Sequence, residues 1–121
     1  MGSKVIAIDI NKQRLERSIE FGADILINPN ESNDLLEEIK DLTNGTGVDA
    51  SLEASSSPEA RSLAVKSVKT WGNACFVGEG GDVTLDVSND LLRRQVTLIG
   101  SWTFSNKIFD KQSDGKAVII P

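Results

Sequence analysis

Residues Lys4 to Leu15 read KVIAIDINKQRL, an apolar run closed by Asp9 and followed by a polar, helical stretch. A carboxylate offers two acceptor oxygens, which suits it to a pair of neighbouring hydroxyls. In dinucleotide-binding domains an acid ending such a strand holds the adenosine ribose, about twenty residues after a glycine-rich phosphate loop. Here eight residues precede Asp9, too few for that loop. The plainer reading of Asp9 is a charge near a helix N-terminus, where the helix dipole favours it.

Other chemistries are narrowed by what the chain lacks. There is no His and no Tyr, and Cys75 is the single cysteine. One Cys makes neither an internal disulfide nor a structural zinc site, which normally takes four Cys or His ligands. Without His, neither a Ser–His nor a Cys–His nucleophile pair is possible. A carboxylate pair is conceivable among 18 acidic residues, but no spacing singles one out. Cys75 lies in the apolar run NACFVG and reads as a buried structural thiol. The cluster GEGG (78–81) fits neither the P-loop nor the dinucleotide pattern and reads as a turn.

The 121 residues fit one domain with a real core. A hydrophobic share of 39% and a charged share of 26% are ordinary for a globular protein. The net charge of −5 argues against nucleic acid or an anionic membrane surface as partner. No apolar stretch is long enough to span a bilayer, no signal peptide is evident, and Ile6 spoils a myristoylation signal. The expectation is a cytoplasmic protein.

Apolar periodicity supplies the elements that would position Asp9. VIAID (5–9) predicts a strand covered on both faces. NKQRLERSIEFG predicts a helix with Asn11 as N-cap and Gly22 as its stop. ADILINP (23–29) predicts a second strand, and SNDLLEEIKDLTNGTG a helix presenting Leu35, Leu36, Ile39 and Leu42 on one face. VDASLEA (48–54) is a third strand. SSSPEARSLAVKSV is a helix with Pro58 in its first turn and a capping box from Ser56 to Glu59. NACFVG (73–78), a short helix from Ser88, and VTLIGS (96–101) complete the series. Trp71 and Trp102 read as packing residues and Arg14 as a solvated helix residue. Strands alternating with helices predict an α/β fold with a parallel sheet, right-handed crossovers and helices on both faces.

Four stretches together carry a resemblance: KVIAIDINKQRLERSIEFGADILINP, GVDASLEASSSPEA, FVGEGGDVTLDVSNDLLRRQVTLIGSWTFS and the ending FDKQSDGKAVIIP. They resemble the zinc-containing medium-chain alcohol and polyol dehydrogenases. The first three match the second half of that family's cofactor domain, and the fourth its extreme C-terminus. The resemblance implies that residues 1–104 are a partial Rossmann dinucleotide-binding domain and 105–121 a tail. It also implies that the catalytic domain with its zinc ligands, the first strand and the glycine-rich loop are absent.

By the same resemblance Asp9 binds the adenosine ribose and disfavours NADP, with Arg14 along the same ribose. Ala54 and Ser55 flank the adenosine half. Val77, Gly78, Glu79, Ser101, Trp102 and Thr103 lie near the nicotinamide, and Lys116 contacts the pyrophosphate. Ser56 stands where relatives commonly have Gly, and its side chain would crowd the adenine side. The cofactor implied is NAD, weakly held, with no zinc.

The implied function is a truncated NAD-binding domain of a zinc-type alcohol or polyol dehydrogenase, an oxidoreductase by descent and inactive alone. The alternative is a non-enzymatic structural or interaction module acting through self-association. The full Rossmann order is 3-2-1-4-5-6. Losing the central strand predicts the order 2-1-3-4-5, with Asp9 and Ser55 meeting at the new switch point. Helix 11–21 would cover one face alone, leaving a bare patch that pairs two copies into a homodimer. The tail KAVIIP is expected to pack on the sheet or add a strand to it, or to fill the vacant slot of a partner by swapping.

Overall fold

Val5–Ile8 form strand β1 in the computed structural model, which describes residues 4–101 and 117–120. The strand is buried on both faces, as its unbroken apolar run requires. Asp9 ends it. Asn11 then caps α1 (Lys12–Ser18), its side chain accepting from the Arg14 N–H, and Gly22 closes the following 3-10 turn at φ 98°. A left-handed residue there costs glycine nothing. β2 (Ile25–Ile27) and α2 (Leu35–Leu42) follow, α2 capped by Asp34.

β3 (Val48–Glu53) leads into α3 (Pro58–Ser67). The cap of α3 is Ser57 rather than Ser56: its hydroxyl accepts from the Ala60 N–H and donates to Glu59 Oε2 at 2.8 Å. Ser56 sits instead at φ 63°, a left-handed conformation that cannot begin a helix. β4 (Val68–Phe76) starts five residues earlier than the apolar run suggests. Its register with β3 shifts between Val48 and Ala50, and the irregularity puts Trp71 at φ 70° with its side chain 68% exposed. Trp71 is therefore not the packing residue its size suggests, because the irregular backbone turns it to solvent. A π-helical turn (Val87–Leu92) and β5 (Thr97–Gly100) come next.

The last strand, β6 (Ala117–Ile120), lies in the centre of the sheet. The order is β2-β1-β6-β3-β4-β5 and every pairing is parallel. The expected order 2-1-3-4-5 is thus corrected: those five strands keep their sequence, but the tail separates β1 from β3. A central slot flanked by two buried strands satisfies both edges of an apolar segment, which an edge position cannot do. The tail that adds this strand is the chain's own.

The core joins Ile6 and Ile8 of β1 and Ile27 of β2 to Ile39 of α2, Ala64 of α3, and Val48 and Val68 of β3 and β4. α1 packs against β1 and β2, α3 against β3, β4 and β6, and α2 against α3. Cys75 is buried in β4, and that burial pushes its thiol above its ordinary pKa. No helix among the described residues is long and apolar enough to cross a membrane.

Candidate functional site

The C-terminal ends of β1 and β3 open onto a cavity of about 460 Å³. Its apolar wall is Ile8, Ile10, Pro29, Leu35, Ala60 and Leu63, and its polar groups are Asp9, Arg14, Ser55, Ser57 and Glu59. Ligands of open α/β sheets bind at this edge, in the crevice beyond the strand ends.

Asp9 is 6% exposed. Its Oδ1 accepts from the Asn11 N–H at 2.9 Å and from Arg14 Nη2 at 3.3 Å. Arg14 Nε lies 2.8 Å from Oδ2. That contact is an ion pair at close range without hydrogen-bond alignment, so Oδ2 is buried with no hydrogen-bond donor among the described residues. An unfilled buried acceptor is costly and invites a donor from a ligand. Glu59, on the α3 side, is held below its ordinary pKa by hydrogen bonds from its own backbone N–H and from Ser57.

The loop that carries Ser55 is fixed from beneath by Glu53, which is fully buried. Glu53 Oε1 accepts from the Ser55 hydroxyl at 3.0 Å and from the Ser56 N–H. Its Oε2 pairs with Arg61 Nε at 3.3 Å, and Arg61 Nη2 donates to the Gly78 carbonyl. The Glu53 carbonyl accepts from the N–H groups of Val77 and Gly78, at 2.9 and 3.2 Å. One carboxylate–guanidinium pair therefore ties the ends of β3 and β4 to α3. Sequence reasoning passed over both residues. The available signal was a Glu inside an otherwise buried strand, since a buried carboxylate demands a partner.

Of the residues singled out from the sequence, Asp9, Arg14 and Ser55 line the same cavity. Ala54 follows β3 against Gly78, where a Cβ would meet the Ala54 carbonyl carbon at 2.9 Å and the Ser56 nitrogen at 2.5 Å. Val77, Gly78 and Glu79 follow β4, and Ser101 follows β5 with its N–H donating to the Phe76 carbonyl at 2.9 Å. None of these four lines the cavity. Trp102, Thr103 and Lys116 lie outside the described residues. The Ser56 hydroxyl donates to the Ser55 carbonyl, and Ser56 is not part of the cavity wall.

Residues 1–115 match the zinc-binding dehydrogenase family. The chain belongs to that family. Among relatives of this family, L-threonine 3-dehydrogenase of Symbiobacterium thermophilum is 35% identical over 97 residues, 79% of this chain and 27% of that protein. Sorbitol dehydrogenase of Bacillus subtilis is 40% identical over 74 residues, 61% of this chain and 21% of that protein. Benzyl alcohol dehydrogenase from Acinetobacter calcoaceticus superposes with a TM-score of 0.74 at 35% identity, covering 82% of this chain and 27% of that one. The chain thus spans under a third of the length of these dehydrogenases, and the family match stops before β6.

The zinc of the family name finds no donor set here. The 121 residues include no His and one Cys, which is buried, and the described residues gather no group of three possible ligands.

Proposed function

We propose that this member of the zinc-binding dehydrogenase family recognises the adenosine half of NAD, weakly, and carries out no alcohol oxidation by itself. The observation that carries the reading is the Asp9 carboxylate, which lines a cavity with apolar walls and whose buried Oδ2 lacks a hydrogen-bond donor among the described residues. A ribose hydroxyl supplies the donor, and an adenine ring suits the wall formed by Ile8, Ile10 and Leu35. Arg14 holds the carboxylate in place, and Ser55 closes the opposite side.

Weakness follows from what would meet the pyrophosphate. A glycine-rich turn and helix N-terminus normally supply its N–H donors. No Gly-x-Gly-x-x-Gly occurs in these 121 residues. NAD affinity of about millimolar order is expected, with AMP binding about as well as NAD. Removing the carboxylate in Asp9→Ala deletes a charge-assisted hydrogen bond worth about 1.5–3 kcal/mol, so affinity falls about tenfold or more. Thermal melts in excess AMP test this, since specific binding raises the midpoint. Micromolar NAD binding, or an Asp9→Ala protein that responds like the parent, would overturn the reading.

Purified protein is expected to hold no stoichiometric zinc and to oxidise alcohols no faster than a blank. Metal analysis showing one tightly held zinc per chain would contradict this.

A second reading, a module working through self-association, draws on the surface after α1, where Ile19 and Phe21 are 57% and 83% exposed. Apolar side chains grouped this way favour pairing of two copies. Light scattering at high concentration should then give twice the 13.1 kDa chain mass. A strict monomer would remove this reading.

A further inference from the structure

Among the described residues β6 is the strand through which the β1–β2 pair joins the β3–β4–β5 sheet. Its partners on the two sides are in step. Ala117 faces Val5 and Ala50, Val118 faces Ile6 and Ser51, and Ile119 faces Ala7 and Leu52. If β6 withdrew, Val5–Ala7 would stand level with Ala50–Leu52, in the same direction and in register. Neighbouring strands lie about 4.8 Å apart, so β6 keeps β1 and β3 about 9.6 Å apart.

The cavity depends on that separation. Asp9, Ile10 and Arg14 reach it from the β1 side, and Ser55, Glu59 and Leu63 from the β3 side. We infer that β6 is a one-strand spacer that sets the width of the cavity. With β6 docked, the crevice between Asp9 and Ser55 is open. With β6 undocked, β1 pairs directly with β3 and the crevice narrows by one strand width. The undocked sheet has the order 2-1-3-4-5, itself a common doubly wound arrangement, and it leaves no unpaired edge between β1 and β3. A ligand that fits the wider crevice binds the docked state more tightly and so draws the tail into the sheet. The ligand half of this inference rests on the nucleotide reading above; the geometric half does not.

Val118→Pro tests it, because proline in a central strand removes a ladder donor and is not tolerated there. Spin labels at Lys4 and Thr46, exposed positions just before β1 and β3, report the separation of those strands. Cys75 is buried and does not compete for the label. Undocking should shorten the label separation by about 5 Å and weaken AMP binding about tenfold or more. A second variant, Ala50→Cys with Ala117→Cys, places cysteines at directly paired positions of neighbouring strands, and the usual strand spacing of about 4.8 Å lies within the Cα range of a disulfide. When oxidised, and without the proline, it should keep the parent's label distance and AMP affinity. An unchanged distance in Val118→Pro would overturn the spacer. So would loss of its cooperative melt, because the closed state must itself be folded. A shortened distance in a protein that never binds AMP would uphold the spacer and remove the nucleotide reading.

Discussion

Glu53→Ala is expected to cost about 3–5 kcal/mol of stability, the penalty for stranding one member of a buried ion pair. Glu53 is fully buried and Arg61 nearly so, and their contact at 3.3 Å leaves the guanidinium no other carboxylate among its described partners. The substitution also removes the acceptor of the Ser55 hydroxyl and the Ser56 N–H. Ser56 sits at positive φ, so the loop loses the bonds that hold a strained residue in place. Domains of this kind have total stabilities of about 5–15 kcal/mol, and the loss would bring this one close to unfolding at ambient temperature. Urea titration of the parent and Glu53→Ala measures it. Glu53→Gln, which keeps an acceptor for the loop, should fall between the two. A Glu53→Ala midpoint within about 1 kcal/mol of the parent would mean that Arg61 finds water instead.

Ile39→Ala is expected to cost about 2–5 kcal/mol. Ile39 is completely buried and is the buried residue of α2 in the core. It packs among Ile6, Ile8 and Ile27 from one part of the sheet and Val48 and Val68 from the other. Besides β6, the core around Ile39 joins the two parts of the sheet among the described residues. The cavity left by three lost carbons therefore loosens a join as well as a helix. Ile39→Val, which removes one methyl group, should cost about 0.5–1.5 kcal/mol. Equal midpoints for the two variants would show that α2 shifts to close the gap.

The chain order of strands and helices was legible because each apolar run is short, continuous and bounded by turn residues. VIAID (5–9) reads as a strand buried on both faces, and the structure buries Val5–Ile8 so; VDASLEA (48–54) reads as a third strand, and Val48–Glu53 forms it. Asn11 and Gly22 marked the ends of the first helix through local chemistry, a capping carbonyl and a left-handed residue. Asp9 and Ser55 were legible as residues of one crevice because a parallel sheet aligns all its strand ends on one edge, and both line the cavity.

Tertiary structure alone decided three things. The bond from Arg61 to the Gly78 carbonyl spans 17 positions, and no local pattern encodes such a pairing. Trp71 became exposed because a register shift between β3 and β4 turns the backbone over, which composition does not reveal. The run AVII identified itself as apolar and fit to be a strand, but an apolar run specifies burial on both faces and not its neighbours. Its place between β1 and β3 follows from which pairing satisfies the most backbone groups across the whole sheet, a comparison that exists only once all six strands are assembled.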